Sequence, residues 1–469
     1  MNDTSNTLPA PAPTAADGTP AAPAEPAAGV AAWYALGVLT LVTLFAFVDR
    51  GVLVLQAEVI RKAFSLSDVQ LGFLQGTGVA IFAALAAYPM AWLADRFDRR
   101  AVLAGSVLFW GAAVFASGLA QTYEQLVLAC ALVGAGEAGL VPIVYALIPD
   151  LFPEKRRQTA NSIYALASSV TGGLAIAMTG QVIGSVELVR GDLPAMLQAV
   201  DGWRLSMFAV AAPAPILVML IATIVIRRRE RAADAARAAL PVAPVVPARP
   251  FLPYFRQHWP AFSCYFVGMG LVGFGMSAVG TWIAVIYQRI YHQTPQQLGA
   301  MLGGIGTVAT AIGFGLSIWV VRRFGPTMGP RLNMRVLVLS ALVLACSFAA
   351  MVFATRVEHM YAIQAFYVTL ITTATMLIPT IVQTLAPGHL RARVASIQSV
   401  IGSAAAAAAA PVTGLVSDQL KHLPNGLILS SALIAVPCLS VAALLFFLGE
   451  RRYESTAREA RRIDEEAAR

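Results

Sequence analysis

Stretches of about 20 mostly apolar residues, the length a helix needs to cross the hydrocarbon core of a bilayer, recur along this chain from Trp33 to Leu448. Short polar breaks separate them. The pattern predicts an all-α membrane protein with about twelve spans, near 31–55, 70–93, 101–120, 124–148, 158–186, 203–226, 259–288, 297–321, 333–355, 360–385, 393–417 and 425–448. With 58% of residues hydrophobic, 12% charged and a mean hydropathy of +0.70, water is not the main solvent of this chain.

The net charge of +8 and pI near 9.5 would suit a nucleic-acid partner, but the placement of the charges excludes that reading. Of the 33 Lys and Arg, 25 lie at alternate breaks on one side and in the C-terminal tail, seven lie on the other side, and Arg50 lies within the first span. Such asymmetry places the basic side in the cytoplasm and, with an even number of spans, both termini with it. The expected location is therefore a bacterial-type inner membrane, crossed many times, with the lipid bilayer as a partner. The first thirty residues are rich in Ala and Pro and lack the basic start of a signal peptide, so a disordered cytoplasmic tail is expected over 1–30. Cys130, Cys264, Cys346 and Cys438 lie far apart inside apolar spans and read as free thiols rather than metal ligands.

The chain repeats itself. Trp33 and Trp259 stand before the first and seventh spans, DRFDRR from Asp95 matches RRFGPT from Arg322, and PEKRRQTANSI from Pro153 matches PGHLRARVASI from Pro387. These offsets of about half the chain imply an N-terminal six-helix bundle over 31–226 and a C-terminal one over 258–450, related as parallel repeats with a site near the midplane between them. A cytoplasmic linker is expected over 227–257, opening with RRRER and closing with PVAPVVPARP, and a cytoplasmic tail over 451–469.

Asp49 and Glu137 are the main acidic residues inside spans of the first half. A charge at mid-bilayer costs about 2.5–3.5 kcal/mol on insertion scales, so such residues usually face a cavity and carry function. A carboxylate taken out of water holds its proton more tightly, which suits either residue to coupling transport to protons. The bland alternatives are a structural partner for Arg50 in the case of Asp49, and a lock between neighbouring helices in the case of Glu137, which sits among Gly134, Gly136 and Gly139. Side chains of consecutive helical residues diverge by about 100°, so only one of Asp49 and Arg50 is expected to face the cavity squarely, and Asp49 is the choice. Asp95, with Arg96, Arg99 and Arg100, forms a cytoplasmic gate candidate in which Asp95 pairs with helix ends and arginines in one conformer only; the arginines also serve to retain the loop inside.

AWLADRFDRR resembles the GxxxDRxGRR signature of the major facilitator superfamily, and Gly202-Trp203-Arg204 resembles the GWR found before the sixth span of many members. VDR at the end of the first span, LVGAGEAG in the fourth and IPDLFPEKRRQTANSI after it resemble the spinster-like members. The resemblance covers about residues 31–450 and implies a secondary transporter with alternating access, in which the aspartate of the DR motif takes part in proton or substrate coupling. It implies a lysolipid or sphingoid-like amphiphile as substrate, with small organic anions carried by symport as the alternative. Cys130 stands where the superfamily's fourth-span signature has arginine, and this departure leaves open whether Arg50 substitutes for it or the mechanism is altered. A sensor that binds ligand without turnover is a further alternative.

An amphiphile suggests a cavity polar on one side and aromatic on the other, with Tyr145 and Tyr164 in the first half and Tyr265, Phe274, Trp282 and Tyr367 in the second as candidate wall residues, although aromatics on membrane helices more often pack or face lipid. The chain has no GxxxxGK[ST] loop, HExxH, GxSxG or paired metal-ligand motif. Direct ATP use and enzymatic activity are therefore not expected, nor is a cofactor, a metal site or a nucleic-acid partner; the expected partners are a small-molecule or lipid substrate and protons.

Overall fold

The computed structural model describes residues 29–225 and 251–467. The expected N-terminal tail, up to 28, and most of the expected linker, 226–250, lie outside the described residues. Within them, twelve helices are long and apolar enough to cross a membrane. They are α1 (Val30–Leu55), α2 (Asp68–Arg96), α3 (Arg99–Leu119), α4 (Tyr123–Leu151), α5 (Glu154–Asp192), α6 (Gly202–Ala222), α7 (Trp259–Tyr291), α8 (Pro295–Met328), α9 (Arg331–Met351), α10 (Val357–Leu385), α11 (Gly388–Gln419) and α12, the last running as one helix over Gly426–Ala467. Hydropathy marks the apolar window and not the helix, so α5, α8 and α12 overrun their expected ends with polar turns. The tail expected over 451–469 is thus largely a continuation of the last span.

Local chemistry sets the ends and the breaks. Ser67 with Gln70 and Thr294 with Gln297 form capping boxes that start α2 and α8. Four spans are interrupted, and proline accounts for three of the breaks: Pro142, Pro215 and Pro379 have no N–H to give the carbonyls of Ala138, Ala211 and Thr375, where α4, α6 and α10 loosen. The fourth break is at Thr281 in α7, and a π-helical turn covers Phe73–Gly78 in α2. A π turn adds a residue to one helical turn and re-aims the side chains on it.

In the first half α1 packs on α5, α3 on α4 and α6, and α2 on α4; in the second, α12 packs on α7 and α9, α7 on α11, and α8 on α10. The halves meet along two seams, α5 with α8 and α2 with α11. Both seams are made of small residues. A Cβ on Gly180 would lie 2.6 Å from the Cα of Gly299, and one on Gly72 would lie 2.5 Å from the Ala410 carbonyl oxygen. These approaches lie in the half of the membrane away from the arginine clusters, toward what is called the outer end below. Toward the basic end the seams part, leaving Tyr88 of α2, Ile312 of α8 and Val400 of α11 exposed at 79%, 56% and 67%.

Candidate functional site

Between the halves, at the level where the seams separate, lies a cavity of about 400 Å³. Its first-half wall carries Asp49 and Arg50 of α1, Gln75 on the π turn, Ser117, Cys130 and Glu137, with Leu53, Val54, Val79, Val114, Val133 and Met207 between them. Its second-half wall is Ser277 and Thr281 of α7 and Ser403, Ala406 and Ala407 of α11.

The three charged candidates from the first half are brought together, in a different arrangement from the one expected. Arg50 and Asp49 both line the cavity, but Arg50 is the more open of the two: half of its side chain is exposed and its Nε donates to Oε2 of the buried Glu137. The terminal nitrogens of Arg50 have no hydrogen-bond partner among the described residues, and the guanidinium lies over the Phe47 ring, 5.9 Å from its centre. Asp49, 6% exposed, turns toward α3, where Oδ2 accepts the indole N–H of Trp110 at 3.0 Å. Asp49 Oδ1 and Glu137 Oε1 are buried with no hydrogen-bond partner. Each carboxylate thus keeps one acceptor unused.

The glycines of the fourth span make this possible. A Cβ on Gly136 would lie 2.8 Å from the Trp110 Cβ, so only glycine lets α3 come close enough for its indole to reach across to α1. Ser106 of α3 fixes the same approach by donating to the Gly136 carbonyl at 2.9 Å. The break in α4 follows directly at Ala138, so Glu137 ends a helical segment rather than sitting in an unbroken one. Cys130 is buried in the wall with its sulfur 3.9 Å from Ser117 Oγ. The position of the superfamily arginine is therefore filled by a neutral group, and Arg50 is the one cation among the described wall residues.

The expected aromatic lining is absent from the cavity. Tyr265 is buried and donates to Gln398 at 2.5 Å, Trp282 is buried with its indole N–H on the Ala410 carbonyl at 3.2 Å, and Tyr367 packs edge-on against Phe348. Phe274 is half-buried outside the wall. Tyr164 is buried with its hydroxyl on Thr43 at 2.9 Å, and Tyr145, partly exposed, stacks edge-on against it. These rings are packing residues. Their places on the wall are taken by aliphatic side chains and by Gln75, Ser117, Ser277, Thr281 and Ser403, none of which carries a sequence signal beyond its residue type. Gln75 is the most informative of them: both atoms of its amide are buried without partners.

At the basic end, Arg99 binds Asp150 at 3.1 Å and the Ala146 carbonyl at 2.9 Å, and Arg100 binds Asp98 and the Ile224 carbonyl. The loop arginines therefore tie the ends of α3, α4 and α6 together. Arg96 stacks on Trp92, 5.3 Å from the ring centre. Asp95 is exposed and without a hydrogen bond or ion pair among the described residues, in a structure whose basic end is open.

The family model of the Major Facilitator Superfamily matches residues 39–411. An MFS-type efflux pump of Mycolicibacterium smegmatis is 31% identical over 205 residues, 44% of this chain and 44% of the pump. The sphingosine-1-phosphate transporter SPNS2 of Danio rerio is 31% identical over 154 residues, 32% of this chain and 29% of that one. The match thus spans less than half the length of either relative. Among solved structures, a bacterial homolog to the human lysosomal transporter Spinster, in an inward-facing and unoccupied conformation, superimposes with a TM-score of 0.70 at 21% identity, over 92% of this chain and 97% of that one. This last likeness concerns the fold alone.

Proposed function

This chain belongs to the Major Facilitator Superfamily, whose members are transporters rather than enzymes, and from that premise we propose that it carries an amphipathic, lipid-like substrate such as a lysolipid or sphingoid by alternating access. In this reading the basic end faces the cytoplasm and the structure is the inward-open state. The observation that carries it is the Arg50–Glu137 pair set in an otherwise largely aliphatic wall. An anionic group on the substrate takes the free terminal nitrogens of Arg50 as a charge-assisted partner. Its chain lies against Leu53, Val54, Val79 and Val133 and continues into the cleft between the parted ends of α2 and α11. SPNS2, by its name a sphingosine-1-phosphate transporter, supports the substrate class.

Protons enter through the same pair. Glu137 and an anionic substrate compete for one guanidinium, so a proton placed on Glu137 releases Arg50 to the substrate. Asp49 sits beside Arg50 as a second proton acceptor, oriented by Trp110. A small organic anion is the alternative substrate, favoured by one observation: a cavity of about 400 Å³ would hold such a molecule whole.

Thermal unfolding in a fixed detergent separates the two. A ligand at 100 times its Kd adds about 2.7 kcal/mol to the folded state, and lysophospholipids and phosphorylated sphingoids, whose phosphate can meet Arg50, are expected to stabilise the protein where small carboxylates and sugar acids do not. Stabilisation by the small anions alone would replace the lipid reading with the alternative. In proteoliposomes Asp49→Asn is expected to abolish uptake driven by a pH gradient while leaving the fold intact; unchanged pH-driven uptake removes Asp49 from the coupling.

A further inference from the structure

The outer end of the molecule is held by a set of charges separate from the cavity. Arg289, in the last turn of α7, reaches from the second half to two acids of the first. Its Nη1 donates to Asp68 Oδ2 at 2.9 Å, and its Nη2 donates to Asp68 Oδ1 at 2.8 Å and to Glu58 Oε2 at 3.0 Å. The Asp68 contact is a two-pronged guanidinium–carboxylate pair, the geometry that gives arginine its directional strength. Glu58, on the short helix Ala57–Ala63 that follows α1, is held from its other side by Arg61 at 2.8 and 2.9 Å. Glu58 and Asp68 are 4% and 3% exposed, so neither charge has water to fall back on.

Asp68 and the start of α2 are gripped a second time, from α11. Ser417 donates to Asp68 Oδ2 at 2.7 Å, while Asp418 accepts the backbone N–H groups of Asp68 and Val69 at 3.0 and 3.1 Å. A carboxylate at a helix N-terminus satisfies orphan N–H groups and meets the positive end of the helix dipole; in this case the helix is in one half and the carboxylate in the other. Gln288, next to Arg289, donates to the Leu55 carbonyl at the end of α1, at 2.7 Å. Lower down, Pro411 has no N–H for the Ala407 carbonyl, and Thr77 of α2 fills the place with a 2.7 Å hydrogen bond. Every one of these contacts except those of Arg61 joins the two halves, and rocking the halves apart at the outer end would break them together.

We infer that Arg289 is the latch of the outer gate: its bond to Asp68 and Glu58 holds the inward-open state, and its release is a required step of outward opening. The latch rests on the alternating-access reading above but needs no knowledge of the substrate. Deprived of Arg289, Glu58 and Asp68 become neighbouring buried carboxylates, one of them with no cation left, and the closed outer end is disfavoured while the separated state, where water reaches both, is not.

The test is the distance between spin labels at Gln121→Cys and Thr355→Cys, on outer loops of the two halves, in full-length protein with the native cysteines replaced and reconstituted in lipid nanodiscs. Arg289→Gln and Asp68→Asn are each expected to raise the longer-distance population roughly tenfold or more. Arg289→Lys retains a cation and is expected to stay close to the parent, a rescue that a merely structural role would not predict. Should Arg289→Gln fail to fold, Asp68→Asn decides alone. Gly299→Ala serves as the reference, since its methyl has no room in the closed outer end. A longer distance with Gly299→Ala but a parental one with Arg289→Gln or Asp68→Asn overturns the latch. A single unchanged distance in all variants, the reference included, overturns alternating access itself.

Discussion

A single methyl on Gly299 measures how much of the outer closure rests on the α5–α8 seam. In the structure that methyl would sit 2.8 Å from the Gly180 nitrogen and 2.9 Å from the Ile176 carbonyl oxygen, and nearer still to the Gly180 Cα. All three neighbours are backbone, so no rotamer change relieves the contact and the helices themselves must move. Overpacking of this kind costs about 1–3 kcal/mol, and it is charged only to the state in which α5 and α8 touch. The equilibrium should therefore move toward the outward-open form by about 5- to 150-fold. Replacing glycine by alanine also raises helix propensity by roughly 0.8–1.0 kcal/mol, equally in both states, so global stability should not fall. The assay is labelling of Ser403→Cys, on the cavity wall, by a membrane-impermeant maleimide in a background without native cysteines. In the parent it reacts from the basic side; in Gly299→Ala it should react from the outer side at a rate raised in proportion to the new population. A well-folded Gly299→Ala protein with unchanged outer-side labelling would refute the reasoning.

Other outcomes follow from the same geometry. Trp110→Phe strips Asp49 of its one side-chain donor, and a double-mutant cycle with Asp49→Ala, which removes the acceptor, should in thermal unfolding give a coupling of about 1.5–3 kcal/mol if Asp49 is ionised and about 0.5–1.5 if it is neutral; zero coupling would remove the hydrogen bond from the site. In the extension of α12, Tyr453→Ala should cost about 3–5 kcal/mol, because the ring is buried and hydrogen-bonded to Asn333 and Thr384. Glu454→Ala, which loses exposed pairs with Arg331 and Arg458, should cost much less than Tyr453→Ala, and the reverse order would show that charge and not burial holds the extension. Burial works against the charge on Glu58, but Arg61 and Arg289 outweigh it and hold the carboxyl below its usual range. A depressed folded value means that the contribution is complete above the ordinary carboxylate value, near 4.3, and is lost as pH falls through the lower one. With Asp68, Asp418, Arg61 and Arg289 as the charges around it, and with Asp49→Asn and Glu137→Gln in place so that the cavity acids cannot titrate, the outer-end distance should therefore be flat from pH 8 to about pH 5 and lengthen only in stronger acid; a midpoint near neutrality in that background would contradict this.

How much of this was legible in the sequence depends on the kind of fact. The twelve spans were, because a hydrocarbon solvent forces length and polarity onto each segment independently of its neighbours. The choice of Asp49, Arg50 and Glu137 as candidates rested on charges inside spans being too costly to be incidental; that Arg50 meets Glu137 was not legible, because 87 positions separate them. Which of Asp49 and Arg50 opens to the cavity was not: the angle between consecutive side chains is known, but the rotation of α1 is set by packing on α5, where Thr179 donates to the Val48 carbonyl at 3.0 Å. For the same reason Tyr265, Trp282 and Tyr367 were misplaced. An aromatic ring on an all-apolar helix carries no mark of the face it occupies, and these three turn into contacts with α9 and α11. Trp110 was missed because its partner is 61 positions away, and Arg289 because an arginine at the end of a span reads as an ordinary interfacial charge until its acids are seen across the seam.

The two bundles also close their basic ends by different means. The first uses its own loops, Arg99 to Asp150 and Arg100 to the end of α6, whereas in the second the acids that meet Arg331, Arg335 and Arg391 are Glu454, Glu450 and Asp464 of the α12 extension. α12 is also the main neighbour of α7 and α9. During synthesis the second bundle must therefore wait for α12 to leave the ribosome. At about 5–20 residues per second, α7 stands in the membrane for roughly ten to forty seconds before its principal neighbour exists. For that interval its unsatisfied surface is exposed to quality control, and a stop codon placed before Gly426 would leave a finished first bundle attached to a second one lacking its keystone.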